Sequence, residues 1–303
     1  MKNRGECLAK ADFERYRIGA LAKGLAILRA VAEAEEPLSA SQIAEYGALN
    51  TVTAYRFLTT LQGEGYLEQD PFTKRYSLTP KVLELGFRYL NGLGFIERAE
   101  PFLRRLAQQT GETTNMAVLD ETEIVFVARV ASRSLFSINI QIGSRLPACF
   151  SAMGQVLLAA LDRTEVLRRI SGIEFNPPTG RGPQTAQDLI SILRHVSRKG
   201  HAINDQDLEI GIRSAAAPVC TESGAIVASI NIAVPATRVS KSQLKTSLVP
   251  LLMSTAHDIS RALGDTGSLV TNKARNTGAM ARANTSLLQA IARRYQEREF
   301  IVS

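Results

Sequence analysis

The side chains best suited to recognise a ligand lie in a polar helix that the sequence predicts from Thr51 to about Gln62. Ala54, Leu58 and Leu61 follow one another at spacings of four and three, so they should form its buried face. The side chains left around the outer side of its N-terminal end are Thr51, Val52, Thr53, Tyr55 and Arg56. Arginine can pair with guanine, threonine with several acceptors, and methyl groups with thymine when such a helix lies in the major groove. The pattern therefore predicts a surface that can read base edges.

A longer amphipathic helix is predicted ahead of the polar helix. Leu21, Leu25, Leu28 and Ala32 recur at helical spacing and would form one apolar face. The pattern stops before Pro37, which cannot continue a helix. We expect this apolar face to support the polar helix.

A short helix should lie between these two. Ser39 is followed three residues later by Gln42, which is the spacing of a capping box, and Gly47 ends the pattern. Asn50 is then a good N-cap for the polar helix, and the whole has a helix-turn-helix outline. Free amides at helix starts can hold phosphates, so Ser39, Ser41 and Asn50 are expected to lie at the DNA backbone.

A β-hairpin is predicted after Gly65. Apolar and polar residues alternate on either side of residues 70–73, and the return strand is expected to start with Lys74 and Arg75. Two cations beside a reading helix would contact the sugar-phosphate backbone, which adds affinity without reading sequence. The alternative is a small three-helix packing module with a polar surface, and the basic hairpin favours DNA binding over it.

Length and composition limit the class of protein. The chain has 303 residues, of which 45% are hydrophobic and 6% aromatic, so two domains are expected. The sequence has no run of about 18 apolar residues that would predict a membrane span, and the first residues lack the apolar stretch of a secretory signal. We therefore expect a cytoplasmic protein without a membrane partner. The net charge of +7 permits a polyanionic partner but does not locate a site for one.

The cysteines and histidines show no pattern of metal binding. Cys7, Cys149 and Cys220 are odd in number and far apart, so they are expected to be free thiols. The histidines have no ligand spacing with one another or with the cysteines; they are His195, His201 and His257. We predict neither a metal site nor a cofactor.

The second half of the chain has a mixed pattern. An apolar helix at about residues 80–94 reads as a linker, and helices and strands then alternate irregularly. Helices are predicted at about residues 95–109, 151–161, 164–171, 185–199 and 240–263, and strands at about 115–119, 123–130, 135–142, 213–219 and 225–234. Strands near both ends with helices between them predict an α+β domain with an antiparallel sheet.

Several segments resemble the IclR family of bacterial transcriptional regulators over residues 17–263. They are LAKGLAIL, SASQIAEYGALNTVTAYRFLTTLQGEGYLE, NGLGF, IGSRLPACFSAMGQVLLA and GHAINDQDLEIGIRSAAAPV. The last block matches the family signature at Gly200, Asp205, Glu209, Gly211, Arg213 and 216–218. The resemblance implies an N-terminal winged helix-turn-helix domain, a linker helix and a C-terminal GAF-like effector-binding domain with an antiparallel sheet. It also implies dimers or tetramers that bind pseudo-palindromic operators on double-stranded DNA.

On this basis the chain divides into five parts. They are an N-terminal arm at 1–16, the DNA-binding domain at 17–79, the linker helix at 80–94, the effector domain at 95–264 and a C-terminal extension at 265–303. The extension runs past the usual end of the family, and its segment SLLQAIARRYQEREF could form a short basic amphipathic helix. Val52 stands where the family often has serine, which leaves the operator sequence open.

The resemblance also implies an effector pocket. Its family positions fall here on Ala152, Met153, Asn204, Asp205, Ser214 and Asn231. Asn204 and Asp205 are expected in a loop. Free amides at the helix start near Ser151 could receive a carboxylate, and Leu146 would supply a wall. The family often has aspartate where Asn204 stands, so an anion should be easier to hold here. The segment RLPACFSAMGQVLLA is most similar to regulators of the β-ketoadipate and related aromatic-acid pathways; a glyoxylate or sugar-acid pathway is the alternative.

For two arginines and two carboxylates, the sequence permits either a role in ligand binding or a structural role. Arg145 and Arg129 could each pair with a ligand carboxylate or with a structural one. Asp205 and Glu209 could contact the ligand, cap loops or pair with Arg213. Cys149 reads as a small buried residue.

An enzyme and a protein-interaction module are the alternatives to a regulator. An enzyme is disfavoured because the chain has no G-x-S-x-G, P-loop or G-x-G-x-x-G pattern. A protein-interaction module could use the winged helix for protein contacts. Salt would separate the two, because DNA binding weakens steeply as salt rises.

Overall fold

The computed structural model describes residues 15–131 and 140–264, and the chain divides into two compact units, Met1–Gly92 and Leu93–Ser303. The expected extension at 265–303, nearly all of the arm at 1–16 and most of the expected strand at 135–142 lie outside the described residues. Within the described ranges, every helix is too short or too polar to cross a membrane.

The first unit is built from three helices and a small hairpin. The helices are α1 (Gly19–Glu33), α2 (Ala40–Tyr46) and α3 (Thr51–Gly63), and the hairpin strands are β1 (Leu67–Gln69) and β2 (Tyr76–Leu78). Both expected caps are present. Ser39 and Gln42 form a capping box on α2, and the Thr53 amide donates to Asn50 Oδ1 at 2.8 Å on α3. These side chains fix where each helix begins.

The predicted apolar face of α1 is wrong in part. Leu21 and Leu25 are 61% and 51% exposed, and Ala32 is also exposed. Ile27 and Val31 are the buried residues of the helix, with Leu28 half-buried beside them. The predicted and the observed faces both fit the helical period, and the packing of the small core determines that Ile27 and Val31 are buried. That core consists of Ile27, Val31, Leu38, Ile43, Leu58, Leu67 and Tyr76.

The hairpin begins its return strand two residues later than expected. Lys74 and Arg75 lie in the turn, and β2 starts at Tyr76. Asp70 Oδ1 accepts hydrogen bonds from the amides of Phe72 and Thr73 at 2.9 and 2.6 Å. These bonds, led by the one from Thr73, lower the pKa of Asp70. The turn is thus closed by a side chain, which is how aspartate commonly acts in turns.

The helix after the hairpin, α4 (Val82–Leu93), has no buried residue within the described parts of the chain. Its exposed large apolar side chains are Leu83, Leu85, Phe87 and Tyr89.

The second unit contains a six-stranded antiparallel sheet in the order β5-β4-β3-β8-β7-β6. The strands are β3 (Thr113–Asp120), β4 (Glu123–Val130), β5 (Arg145–Pro147), β6 (Ala202–Asp205), β7 (Ile212–Cys220) and β8 (Ile226–Pro235). The expected α+β class with an antiparallel sheet is confirmed. The short strands β5 and β6 were not predicted, so Asn204 and Asp205 lie in a strand and not in the expected loop.

The helices of this unit match the sequence prediction closely. They are α5 (Ile96–Thr110), α6 (Ala152–Ala159), α7 (Arg163–Ile170) and α8 (Ala186–Lys199). The expected long C-terminal helix is interrupted: α9 (Lys241–Gln243) leads into a π-helical turn, Leu244–Leu248, before α10 (Val249–Ala262). The period of the sequence gave no sign of this turn.

Helix α6 packs very closely on the 3₁₀ turn Ala148–Phe150 that precedes it. A Cβ atom added to Gly154 would overlap the backbone Cα and carbonyl of Ala148. Only glycine lets the two backbones approach in this way. This approach fixes the start of α6, where the effector pocket was expected.

Candidate functional site

The outer surface of α3 carries the expected base-reading side chains. Val52 is 75% exposed and Tyr55 53% exposed, and Thr51 and Arg56 are also exposed. Thr53 is half-buried, and its amide is used by the Asn50 cap. Helix geometry gives the amides of Thr51 and Val52 no intrahelical acceptor. The N-terminal end of α3 therefore presents donors, methyl groups and one cation together.

Tyr55 is also linked to the hairpin. Tyr76 of β2 is buried, and its burial raises the pKa of its phenol, with the neighbouring Tyr55 hydroxyl adding to the effect. Tyr55 thus lies next to a buried residue of the core.

The polar residues expected at the DNA backbone differ in how far they are already engaged. The Ser39 hydroxyl and the Asn50 side chain serve as caps, whereas Ser41 is exposed. Arg75 Nη1 donates to the Pro37 carbonyl at 2.8 Å, so this guanidinium also ties the hairpin to the chain before α2. Lys74 is exposed, with a backbone φ of 58°. The hairpin thus offers Lys74 as an exposed cation and Arg75 as a partly engaged one.

The second unit encloses a cavity of about 120 Å³ between its sheet and the start of α6. The residues that line it come from both and are mostly apolar: Thr113, Asn115, Ile124, Phe126, Arg129, Ile140, Leu146, Ser151, Ala152, Met153, Asn204, Leu208, Glu209, Ile212, Ser214, Asn231, Ala233, Val234 and Pro235. Pockets for drug-sized ligands measure roughly 300–1,000 Å³, so this cavity fits a smaller molecule.

The start of α6 supplies the backbone donors of the cavity. Ser151 Oγ accepts from the Gly154 amide at 3.0 Å and caps the helix. The amides of Ala152 and Met153 have no intrahelical acceptor in such geometry. Both residues line the largely apolar cavity, so these two donors and the positive end of the helix dipole favour a carboxylate there.

Asn204 lines the cavity, but its side chain is not available in the way that the sequence suggested. Its Nδ2 donates to the Phe150 carbonyl at 2.6 Å and to Asp207 Oδ2 at 3.3 Å, and its Oδ1 accepts from the Asp207 amide at 3.1 Å. Asn204 therefore joins β6 to the turn before α6. Burial raises the pKa of Asp207, and the nearby Asp205 raises it further.

Arg145 and Asp205 are not among the residues that line the cavity, so the structure does not bring them into the expected site. Arg145 pairs with Asp120 Oδ2 at 2.6 Å and Glu123 Oε2 at 2.7 Å. Asp205 pairs with Arg213 Nε at 2.5 Å. Burial raises the pKa of Asp205, but Arg213 and other neighbours lower it more. For both residues, the structural role that the sequence left open is the one observed.

Two polar residues that line the cavity were not predicted from the sequence. Thr113 and Asn115 lie two residues apart on β3, so they project from the same face of the strand. A run of three polar residues, 113–115, at the start of a buried strand was the signal available. Asn115 Nδ2 donates to Asn231 Oδ1 at 2.8 Å, and Arg129 Nη1 lies 3.5 Å from Asn115 Oδ1. Burial lowers the pKa of Arg129.

No group of three or more histidine, cysteine, aspartate or glutamate residues in residues 15–131 and 140–264 could hold a metal ion. Burial raises the pKa of the Cys149 thiol to about 11, so it stays protonated at neutral pH.

An exposed recognition helix beside a basic hairpin, together with a separate ligand-sized cavity, defines a DNA-binding transcriptional regulator with a small-molecule effector. The IclR helix-turn-helix model matches residues 20–71, and the model of the bacterial transcriptional regulator IclR C-terminal domain matches residues 87–261. The chain belongs to the IclR family. It is a regulator and not an enzyme, as the sequence predicted.

Several relatives illustrate the match. The chain is 34% identical to the Pca regulon regulatory protein of Pseudomonas putida, over 80% of this chain and 83% of that protein. It is 32% identical to the p-hydroxybenzoate hydroxylase transcriptional activator of Acinetobacter baylyi, over 80% and 90%. A solved transcriptional regulator from Rhodococcus sp. RHA1 is 37% identical, with a TM-score of 0.71 over 82% of this chain and 98% of that one.

A further solved structure shares the fold at 23% identity. It is an IclR homolog from Microbacterium hydrocarbonoxydans complexed with 4-hydroxybenzoate, with a TM-score of 0.69 over 81% of this chain and 99% of that chain.

Proposed function

We propose that the effector of this regulator is a small carboxylic acid that binds in the cavity of the second unit. The observation that carries the proposal is the start of α6, where Ser151, Ala152 and Met153 line a cavity of about 120 Å³. Unpaired amides and the helix dipole favour an anion, and the apolar walls favour a small organic body.

An aromatic acid or a β-ketoadipate pathway metabolite is the first candidate. The names of two relatives connect them with a pca regulon and with p-hydroxybenzoate hydroxylase, and both are more than 30% identical over most of this chain. Phe126, Leu146 and Met153 give the cavity apolar walls that suit a ring or a short carbon chain. An effector from a glyoxylate or sugar-acid pathway is the second candidate, because the donors at α6 would hold any small carboxylate.

The DNA-binding surface is proposed to combine α3 with the hairpin. Thr51, Val52, Tyr55 and Arg56 would read base edges, with Thr53 at the margin of the surface. Phosphates would lie against the helix starts and the basic turn, near Ser39, Ser41, Asn50, Lys74 and Arg75. The effector would alter transcription by binding one arrangement of two such reading heads more tightly than another.

A homodimer or homotetramer on a pseudo-palindromic operator follows from this proposal. Two copies related by two-fold symmetry read two half-sites of matching symmetry. The protein would act in the cytoplasm, where bacterial DNA lies. The functional parts are proposed as residues 17–79 for DNA binding, 80–94 for the linker helix and 95–264 for effector binding.

A thermal-shift screen of small acids tests the ligand class. Protocatechuate, 4-hydroxybenzoate, β-ketoadipate and glyoxylate are compared with neutral amides of the same shape. An acid at about 100 times its Kd should stabilise the folded protein by roughly 2.7 kcal/mol, while its amide should not. The variant Ala152→Pro removes one amide donor at a helix position that tolerates proline, so it should lose the acid response. Equal shifts with acids and amides, or an unchanged response in this variant, would contradict the proposal.

A further inference from the structure

Three polar side chains lie in one row across the middle of the sheet. Asn115 on β3 is paired in register with Arg129 on β4 and with Asn231 on β8. All three line the cavity. Asn115 and Asn231 are 1% and 7% exposed, so their hydrogen bonds are made away from bulk water.

The arginine end of the row fixes how both amides are turned. A guanidinium can only donate, so Arg129 favours the orientation in which Asn115 presents its oxygen to it. The distance of 3.5 Å is long for a hydrogen bond, but the positive charge favours the same orientation. Asn115 must then direct its Nδ2 to Asn231, and the Oδ1 of Asn231 accepts this hydrogen bond at 2.8 Å.

The row therefore ends in a donor. With its oxygen turned to Asn115, Asn231 has its Nδ2 left to donate, and that nitrogen has no hydrogen-bond partner within residues 15–131 and 140–264. A buried amide donor without an acceptor is costly, so a ligand that supplies an oxygen there gains in affinity over one that does not. The start of α6 also offers donors, so the cavity has two separate donor groups.

We infer that Arg129 and Asn115 position Asn231 as a hydrogen-bond donor, and that the cavity thereby selects acids with a second acceptor oxygen. This inference rests on the proposed ligand class and deepens it. The carboxylate lies at the amides of α6, and the second oxygen, of a ketone, hydroxyl or second carboxylate, accepts from Asn231. Asn231 determines specificity, and Asn115 and Arg129 are positioning residues.

The test compares two pairs of acids in which only one member has a second acceptor oxygen: 4-oxopentanoate with pentanoate, and 4-hydroxybenzoate with benzoate. The Kd of each is measured by calorimetry on the full chain. The wild type should bind the oxygen-bearing member of at least one pair about tenfold more tightly, which is the size of one buried hydrogen bond. In Asn231→Leu that ratio should fall to about one.

The variant Asn115→Asp tests the positioning role. Aspartate has nearly the same shape but can only accept, so it should bind Arg129 and force Asn231 to donate to it and turn its oxygen to the cavity. The ratio for the pair should then fall below that of the wild type. A merely structural defect would weaken both members of a pair alike and leave their ratio unchanged. Should this variant fail to fold, the side-chain amide signal of Asn231 in the wild type decides, because only the oxygen-bearing acid should shift it.

The outcomes separate the two proposals. If no acid of any kind binds, the ligand class is wrong and the inference falls with it. If acids bind but the ratio is about one in the wild type, or is unchanged in both variants, the ligand class stands and the positioning of Asn231 is wrong.

Discussion

The two units expose their candidate functional side chains to opposite degrees. On α3, Val52 and Arg56 are exposed and lie outside the core of the first unit. In the second unit, Asn204 and Asn231 are less than a tenth exposed and hydrogen-bonded to other parts of the fold. Substitutions in the first set should change binding alone, whereas substitutions in the second should change binding and stability together.

The largest effect is expected from Gly154→Ala. The added methyl group would overlap the Ala148 backbone, which cannot move aside without displacing the start of α6. We expect a loss of about 3 kcal/mol or more in the free energy of unfolding, at the upper end for overpacked sites. Gly86→Ala on the exposed face of α4 is the matched control, because no atom lies within 4 Å of its added Cβ. It should stabilise the helix by roughly 0.5–1 kcal/mol in the same urea titration.

A smaller loss is expected from Asn204→Ala. This change leaves the Phe150 carbonyl and the Asp207 amide without their partner and should cost about 1–3 kcal/mol. Arg56→Ala, at an exposed position, should change the unfolding free energy by less than about 0.5 kcal/mol. Equal losses in the free energy of unfolding for the two variants, measured by urea titration, would contradict the difference proposed between the two units.

A gain is expected from Ala48→Gly in the turn between α2 and α3. Ala48 has a φ of 47°, a conformation that costs a residue with a Cβ roughly 1–2 kcal/mol. Glycine relieves this strain but orders at a greater entropic cost, so the net gain should be about 0.5–1 kcal/mol. Ala26→Gly within α1 is the control and should instead destabilise by roughly 1 kcal/mol. A loss at position 48 as large as that at position 26 would show that the turn is not strained.

The smallest effect concerns Asp207. Its pKa is raised by burial and by Asp205, so the folded state holds this proton more tightly than the unfolded state. Stability from this group is present below the unfolded pKa and is lost as pH rises through the folded pKa. Asp207→Asn should remove that loss and be more stable at pH 7 by less than about 1 kcal/mol, because the group is only half-buried. Urea titrations at pH 4 and pH 7 measure the difference, and a gain confined to pH 4 would contradict it.

Local features were predicted well from the sequence because each depends on a few neighbouring residues. The caps at Ser39 and Asn50 and the buried positions Ala54 and Leu58 were placed correctly. The buried face of α1 was not, because Leu21 and Leu25 fit the helical period as well as Ile27 and Val31 do. Only tertiary packing distinguishes them.

The cavity was predicted in outline and its hydrogen bonds were not. Asn115 and Asn231 are 116 residues apart, and no local pattern joins them. Asn204 was expected to be open to a ligand, but strand β6 and the turn before α6 engage its side chain. Arg145 could be assigned to the ligand or to a structural carboxylate until the positions of Asp120 and Glu123 were known.

The most direct test of the central claim measures how Arg56 and Lys74 contribute to DNA specificity. A binding site is selected from random DNA with the wild-type protein, and affinities for it and for a scrambled sequence are measured by fluorescence anisotropy at several salt concentrations. Arg56→Ala should lower the preference for the selected site roughly tenfold to a hundredfold. Lys74→Ala should weaken binding to both sequences alike and reduce the salt dependence by about one counterion. An equal loss on both sequences for both variants would contradict the assignment of α3 as the reading helix.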